Sequence, residues 1–197
     1  MKSDIILAGV GGQGILTIAT IVGYAAVEKG LYLKQSEVHG MSQRGGDVQS
    51  HLRISDREIY SALIPEGKAD IIMSVEPMEA LRYLSFLSPE GWVIANKTPV
   101  VNIVDYPEQE KIWQRLDSLS NAVLLDGDGI ARKVASARAM NIVILGAATP
   151  HLPLEYDLLE QGIRVIFERK GEKVVEGNIA ALRAGREFAE QGALKTA

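Results

Sequence analysis

The apolar residues open as an unbroken run and continue as a wheel. Ile5, Ile6, Leu7 and Ala8 are continuous and stop at glycines, the pattern of a strand buried on both faces of a parallel sheet. From Ile15 apolar side chains lie almost all round a helix, until Glu28-Lys29-Gly30 supplies a polar turn and a glycine suited to end it. The stretch Ile15 to Val27 is shorter than the roughly 20 residues that a spanning helix needs. It is also broken by Thr17, Thr20 and Gly23, so it reads as a buried helix.

Leu31 to Lys34 predicts a short second strand. Gln35 to Gly46, polar and glycine-rich with no period of either kind, predicts a loop. Partial alternation at Val48, Ser50, Leu52 and Ile54, then Ser55-Asp56-Arg57 and the pair Ile59 and Tyr60, predicts an antiparallel hairpin. Ala69 to Ser74 predicts a strand, Glu76 to Leu87 a helix, and Pro89-Glu90-Gly91 a turn into a strand from Trp92 to Ala95, together a βαβ unit. One more strand follows at Ala122 to Leu125, then helices over Tyr156 to Phe167 and Val174 to Gln191. With no linker or repeat, the expectation is one α/β domain over residues 1–197: Rossmann-like, three-layered, its sheet mostly parallel but mixed.

Composition narrows the classes. The 197 residues are 47% hydrophobic and 23% charged, with a formal net charge of −4, so no basic face suggests nucleic acid. No cysteine is present, which removes disulfides, thiolate nucleophiles and the usual ligands of iron–sulfur clusters. Asp4 and the glycines from Gly9 do not suit a secretory signal, so a cytoplasmic, membrane-free location is expected.

Gly9-Val10-Gly11-Gly12-Gln13-Gly14 fits G-x-G-x-x-G between a strand and a helix, where glycines let backbone approach a phosphate. A tight strand-to-helix turn explains the same glycines without a ligand. A nicotinamide site also wants an acid about 20 residues on; Lys34 and Gln35 stand there, with Glu37 a little beyond. The run from Ser36 to Gly46 is the densest in functional side chains: Glu37, His39, Ser42, Gln43 and Arg44, then Gly45 and Gly46. Arg44 beside flexible backbone suits a carboxylate or phosphate, while a solvated loop with a local Glu37 to Arg44 ion pair explains it as well. Ser36, Ser42 and His39 lack a third group to complete a hydrolase triad.

Gly127-Asp128-Gly129 opens like a thiamine diphosphate motif, but Asn141 follows too early to complete it, and a turn is the simpler reading. Asp105, Asp126, Asp128, His39, His51 and His151 have no metal-ligand spacing. Asn141 and Asn178 read as caps or internal hydrogen bonds, and Trp92 and Trp113 as core or interface.

Four segments together resemble a known family: Gly9 to Leu16, Glu37 to Gly46, Asn141 to Ala147 and Asn178 to Gly185. They are similar to the gamma-type domain of 2-oxoacid:ferredoxin oxidoreductases, and the His-Gly-Met-Ser-Gln form before Arg44 resembles the small subunits of the indolepyruvate branch. The resemblance implies a subunit, inactive alone, that helps close the pocket of a larger enzyme. Thiamine diphosphate, magnesium and 4Fe-4S clusters would lie on a large partner subunit, coenzyme A would be co-substrate and ferredoxin the acceptor. Further readings remain: a gamma subunit of a pyruvate or 2-oxoglutarate enzyme, a self-contained NAD-binding oxidoreductase, or a module that binds a small anion. Apolar surface left exposed in isolation would allow a homodimer.

Overall fold

The computed structural model describes residues 1–39 and 46–196, and the side chains of these apart from His39 and residues 193–196. Six strands form one sheet in the order β2-β3-β1-β4-β5-β6. They are β1 (Lys2–Val10), β2 (Tyr32–His39), β3 (Asp47–Ser55), β4 (Ala69–Ser74), β5 (Leu87–Asn96) and β6 (Ala122–Leu125). β1, β4, β5 and β6 are mutually parallel, whereas β3 runs antiparallel to both β1 and β2. The helices are α1 (Ile15–Glu28), α2 (Pro77–Arg82), α3 (Gln109–Asp117), α4 (Gly127–Val134), α5 (Met140–Ala148), α6 (Tyr156–Phe167) and α7 (Glu172–Thr196).

Strand alternation divides the core into two layers. Ile5, Leu7, Ile71, Met73 and Ile94 point to the side covered by α1, α5, α6 and α7. Ile6, Ala8, Ile72, Val93 and Ala95 point to the opposite side, where Ala80 of α2 and Ile112 and Leu116 of α3 cover them. The mixed, three-layered α/β architecture is the one the apolar runs predict.

Several local expectations change. The second strand is twice as long as expected, since residues 35–39 continue β2 instead of beginning a loop. β2 is an edge strand paired on one side only, so it carries no buried apolar stripe to betray it. The hairpin partner of β3 is therefore β2, and Ile59 and Tyr60 form no strand. The helix expected over Glu76 to Leu87 is shorter: α2 ends at Arg82, a single 3-10 turn spans Leu84–Phe86, and β5 starts at Leu87, absorbing Pro89-Glu90-Gly91. Gly127-Asp128-Gly129 is no turn but the start of α4, capped by Asp126, whose Oδ1 accepts the Gly129 N–H at 2.8 Å.

One ion pair locks the hairpin to the sheet at the end away from the glycine turn. Arg53 of β3 donates twice to Asp4 of β1, at 2.7 and 3.1 Å, with Asp4 only 1% exposed. Removing the guanidinium would leave the buried carboxylate with only the half-exposed Lys2, at 2.8 Å, as a cation, a loss of up to about 3–5 kcal/mol.

Candidate functional site

The glycine turn lies at the carboxyl end of β1, where open α/β sheets place their ligands. Gly12 and Gly14 have φ of 99° and 82°, the left-handed region in which a side chain is strained. Gly14 caps α1, with no side-chain cap and no acid in the first turn, so the positive helix end opens from bare glycine. Gln13 folds back: its Oε1 accepts the Val10 N–H at 2.7 Å and its Nε2 donates to the Val75 carbonyl at 3.2 Å. Both ends of that amide are thus used inside the fold. Asn141 of α5 completes the clamp by donating to the Gly14 carbonyl at 2.9 Å.

The second predicted segment meets the turn from the other side. Glu37 lies on β2 opposite Ser50 and lines a shallow pocket of about 260 Å³ with Gly11, Gly12, Gly14, Leu16 and Val48. His39 ends β2 opposite Val48. Ser42, Gln43, Arg44 and Gly45 lie outside the described residues, and with them the Glu37 to Arg44 ion pair. Gly46 is described, and its carbonyl accepts the Gly11 N–H at 2.9 Å, so this segment returns onto the glycine turn.

The topology argues against a dinucleotide laid across β1 and β2. β3 sits between them, moving the tip of β2 one strand spacing further away, about 4.8 Å. Lys34 donates to the Tyr60 carbonyl at 3.4 Å and Gln35 to the Ser50 hydroxyl at 3.1 Å, and neither is the carboxylate that a ribose diol calls for.

Two features escaped the sequence reading. The first is Glu76, just beyond β4 and fully buried. One carboxylate oxygen accepts the Glu79 N–H at 2.8 Å and caps α2. The other accepts the Val100 N–H at 3.2 Å and a short hydrogen bond from the Tyr106 hydroxyl. Burial, then that bond and the charge of Glu76, push the Tyr106 hydroxyl well above the usual phenol range. Glu76 therefore pins the chain after β5 across the carboxyl end of the sheet, a role that spacing alone does not reveal. Neighbouring Glu79 is also raised by burial, although Arg82 at 2.8 Å opposes this.

The second is a cavity of about 560 Å³ on the helical side of the glycine turn. Gly12, Gly14 and Thr17 form one wall, and Arg138, Asn141, Lys170 and Asn178 others. Asn178 donates to the Val174 carbonyl of its own helix at 2.7 Å, so both asparagines do make the internal bonds expected of them. Arg138 and Lys170 had no signal beyond being cations near breaks in helical pattern.

No described residues form a group of three or more His, Asp or Glu able to hold a metal. Asp128 accepts from Asn96 Nδ2 at 2.9 Å, and Asp126 caps α4, so the thiamine-like triplet is occupied in holding the β6 to α4 junction. Trp92 is half-buried and stacks on His151, centroids 3.8 Å apart. The Trp113 indole donates to the Lys97 carbonyl at 2.9 Å. No described helix is long and apolar enough to cross a membrane.

Comparison with known proteins agrees with this layout. Residues 4–188 match the family model described as pyruvate ferredoxin/flavodoxin oxidoreductase. Indolepyruvate oxidoreductase subunit IorB of Pyrococcus horikoshii is 37% identical over 198 residues, covering 95% of this chain and 96% of its own. The subunit of that name from Archaeoglobus fulgidus is 37% identical over 201 residues, covering 98% of each. The solved gamma subunit of a keto/oxoacid ferredoxin oxidoreductase from Geobacter sulfurreducens shares the fold, with a TM-score of 0.70 over 96% of this chain and 99% of that one at 24% identity. Matched from Asp4 to Phe188 and alike in sequence over nearly all its length, this chain belongs to the pyruvate ferredoxin/flavodoxin oxidoreductase family.

Proposed function

We propose that the chain is the small subunit of a 2-oxoacid:ferredoxin oxidoreductase of the indolepyruvate type, one that shapes an active site whose redox centres lie on a larger partner. The observation that carries this is the 37% identity to subunits of that name over almost the full chain. The lack of any cysteine supports the division of labour, because iron–sulfur clusters are held chiefly by thiolates. A gamma subunit of a pyruvate or 2-oxoglutarate enzyme is the second reading. It is favoured less, because a 2-oxoglutarate synthase subunit KorC and a pyruvate/ketoisovalerate common gamma subunit are alike at only 28% and 27% identity. A self-contained NAD enzyme is disfavoured by the strand that separates β1 from β2.

In such a complex, thiamine diphosphate with magnesium and 4Fe-4S clusters on the large subunit would supply decarboxylation and electron transfer, with coenzyme A taking the acyl group and ferredoxin the electrons. The residues of this chain would position and enclose. In this reading residues 1–197 act as one cytoplasmic domain, and the segment Glu37 to Gly46 faces the shared pocket. Arg44 pairs an anionic group of oxoacid or coenzyme A, while Gly45 and Gly46 let backbone approach. The anchoring of Gly46 on Gly11 and the placement of Glu37 beside the turn support that direction. Val101, Ile103 and Val104 are exposed, the last completely, which fits a surface that a partner covers and equally permits self-association of the isolated chain.

Co-expression with the large subunit, followed by size-exclusion chromatography and iron, sulfide and thiamine analysis, tests the division of labour. All three should travel with the complex and none with the lone chain; clusters or thiamine on the lone chain would contradict it. In the complex, Arg44→Ala should raise KM for coenzyme A or for oxoacid, and unchanged values for both would exclude the anion-pairing role.

A further inference from the structure

We infer that the free edge of β6 docks an extended segment of another polypeptide, which adds a strand there and places a basic side chain in the aromatic cavity beside it. The inference stands apart from the proposed function and from the glycine turn, because β4 and β5 separate this edge from β1.

The edge is the first argument. β6 pairs with β5 alone and ends the sheet. Asn121, just before it, and Leu125, at its end, turn their carbonyls towards β5, where they accept the Val93 and Lys97 N–H groups at 2.9 and 2.8 Å. Main-chain direction alternates along a strand, so Ala122 and Leu124 point theirs away from β5. The side chains of those two residues pack in the layer of α2 and α3, yet both residues line a cavity of about 440 Å³ that opens on the side of α7. What they show to it is therefore main chain: two N–H and two carbonyl groups in strand register, the template that an added strand reads. Sheet edges are commonly blunted by charge, proline or a bulge. The opposite edge strand, β2, carries Lys34 and Glu37, whereas Ala122-Val123-Leu124-Leu125 has no charge, no proline and no register shift.

The cavity says what the added strand carries. Trp92 and Phe188 line it together with His151, which stacks on Trp92, and aromatic faces attract cations. Asp117 and Glu190 also line it, and no lysine or arginine does. Glu190 is already paired with Arg186 at 2.7 Å, but among the described residues the exposed Asp117 carboxylate has no partner. Burial lowers the pKa of His151 from 6.5, so at neutral pH its ring adds no positive charge. An arginine or lysine side chain complements this lining in shape and charge, and the volume lies within the usual range for binding pockets, about 300–1,000 Å³.

Nitrogen-15 NMR of the full chain, titrated with a capped five-residue peptide of valine and threonine around a central arginine, tests the site. Saturable shifts should fall on the amides of Ala122 and Leu124 and on the Trp92 indole. Of two versions N-methylated on alternate residues in opposite phases, one should lose binding and the other keep it, because only one phase turns its N–H groups to β6. A version with glutamate at the centre should bind more weakly. Asp117→Asn should weaken the arginine peptide about two- to fivefold, the scale of an exposed ion pair, while Glu110→Gln, an exposed acid of α3 outside the cavity, should not. Spectra unchanged away from the cavity verify that both variants fold. Absence of saturable shifts at β6, the same outcome for both methylated versions, the glutamate peptide bound as tightly as the arginine one, or equal binding by the two variants would overturn the inference. So would arginine amide bound as tightly as the peptide, the mark of a small-cation pocket, or shifts of β6 that follow protein concentration without peptide, the mark of self-pairing.

Discussion

Single side chains decide how the carboxyl end of the sheet is built, and several polar groups there are tied into the fold. Gln13, Asn96 and Glu76 each make two or more internal hydrogen bonds around the glycine turn and the strand ends. Buried polar groups must find partners, which makes these residues positional and leaves chemistry to those with unspent valences. His51 of β3 belongs to the same class. It is 4% exposed, its Nδ1 accepts the Ile64 N–H at 3.0 Å, and its ring meets Phe86 edge-on at 5.3 Å. Burial first, and then the charge of Arg53, lower its pKa from the ordinary 6.5; burial does the same to His151. The unfolded chain therefore takes up protons near pH 6.5 that the folded chain refuses, and stability falls as pH drops below that value. Urea midpoints should be flat above neutrality and decline towards pH 5. In His51→Gln, which keeps an acceptor for Ile64, that slope should shrink to the His151 share; a slope unchanged by the substitution would refute the assignment.

At the level of elements, the readable ones were those buried symmetrically or amphipathic. β4, β6 and α6 begin and end where their apolar runs predicted. β2 hid its second half because Gln35, Ser36 and Glu37 lie on an edge strand, where polar residues cost little. α5 is buried at every position, so it has no polar face to give it a period, and α3 and α4 are short. The α5 segment and the C-terminal helix were nevertheless both picked out by family resemblance, and their crossing gives a physical reason. A Cβ at Gly146 would lie 2.0 Å from the Leu182 carbonyl oxygen, and one at Gly185 would lie 2.0 Å from that of Val143. Reciprocal glycines thus let α5 and α7 approach backbone to backbone. Gly185→Ala should destabilise the chain by about 1–3 kcal/mol, as overpacking does, each kcal/mol lowering the thermal midpoint by about 2–4 °C at this size. Gly192→Ala in the same helix, where an added Cβ would meet nothing within 4 Å, should leave the midpoint unchanged or raise it. Equal midpoints for the two variants would mean that the helices can part without cost.

For the molecule as a whole, what the sequence could not display is how the turn is shared. Glu37 and Gly46 meet Gly11 on one side of it, while Asn141, Arg138 and Lys170 gather on the other, from segments over a hundred residues away. Such convergence depends on strand order, and β3 intruding between β1 and β2 has no local signature. The glycine motif was legible, but the side of it that faces a cavity was not. In the proposed reading both sides of the turn hold and enclose, and electron transfer falls to a companion subunit. Reconstitution tests this most directly: indolepyruvate-dependent, coenzyme A-dependent reduction of ferredoxin, measured for the chain alone, for the large subunit alone and for the two combined. Turnover should appear only, or far faster, in the combination; full activity in the large subunit without this chain, or any in this chain alone, would contradict the account.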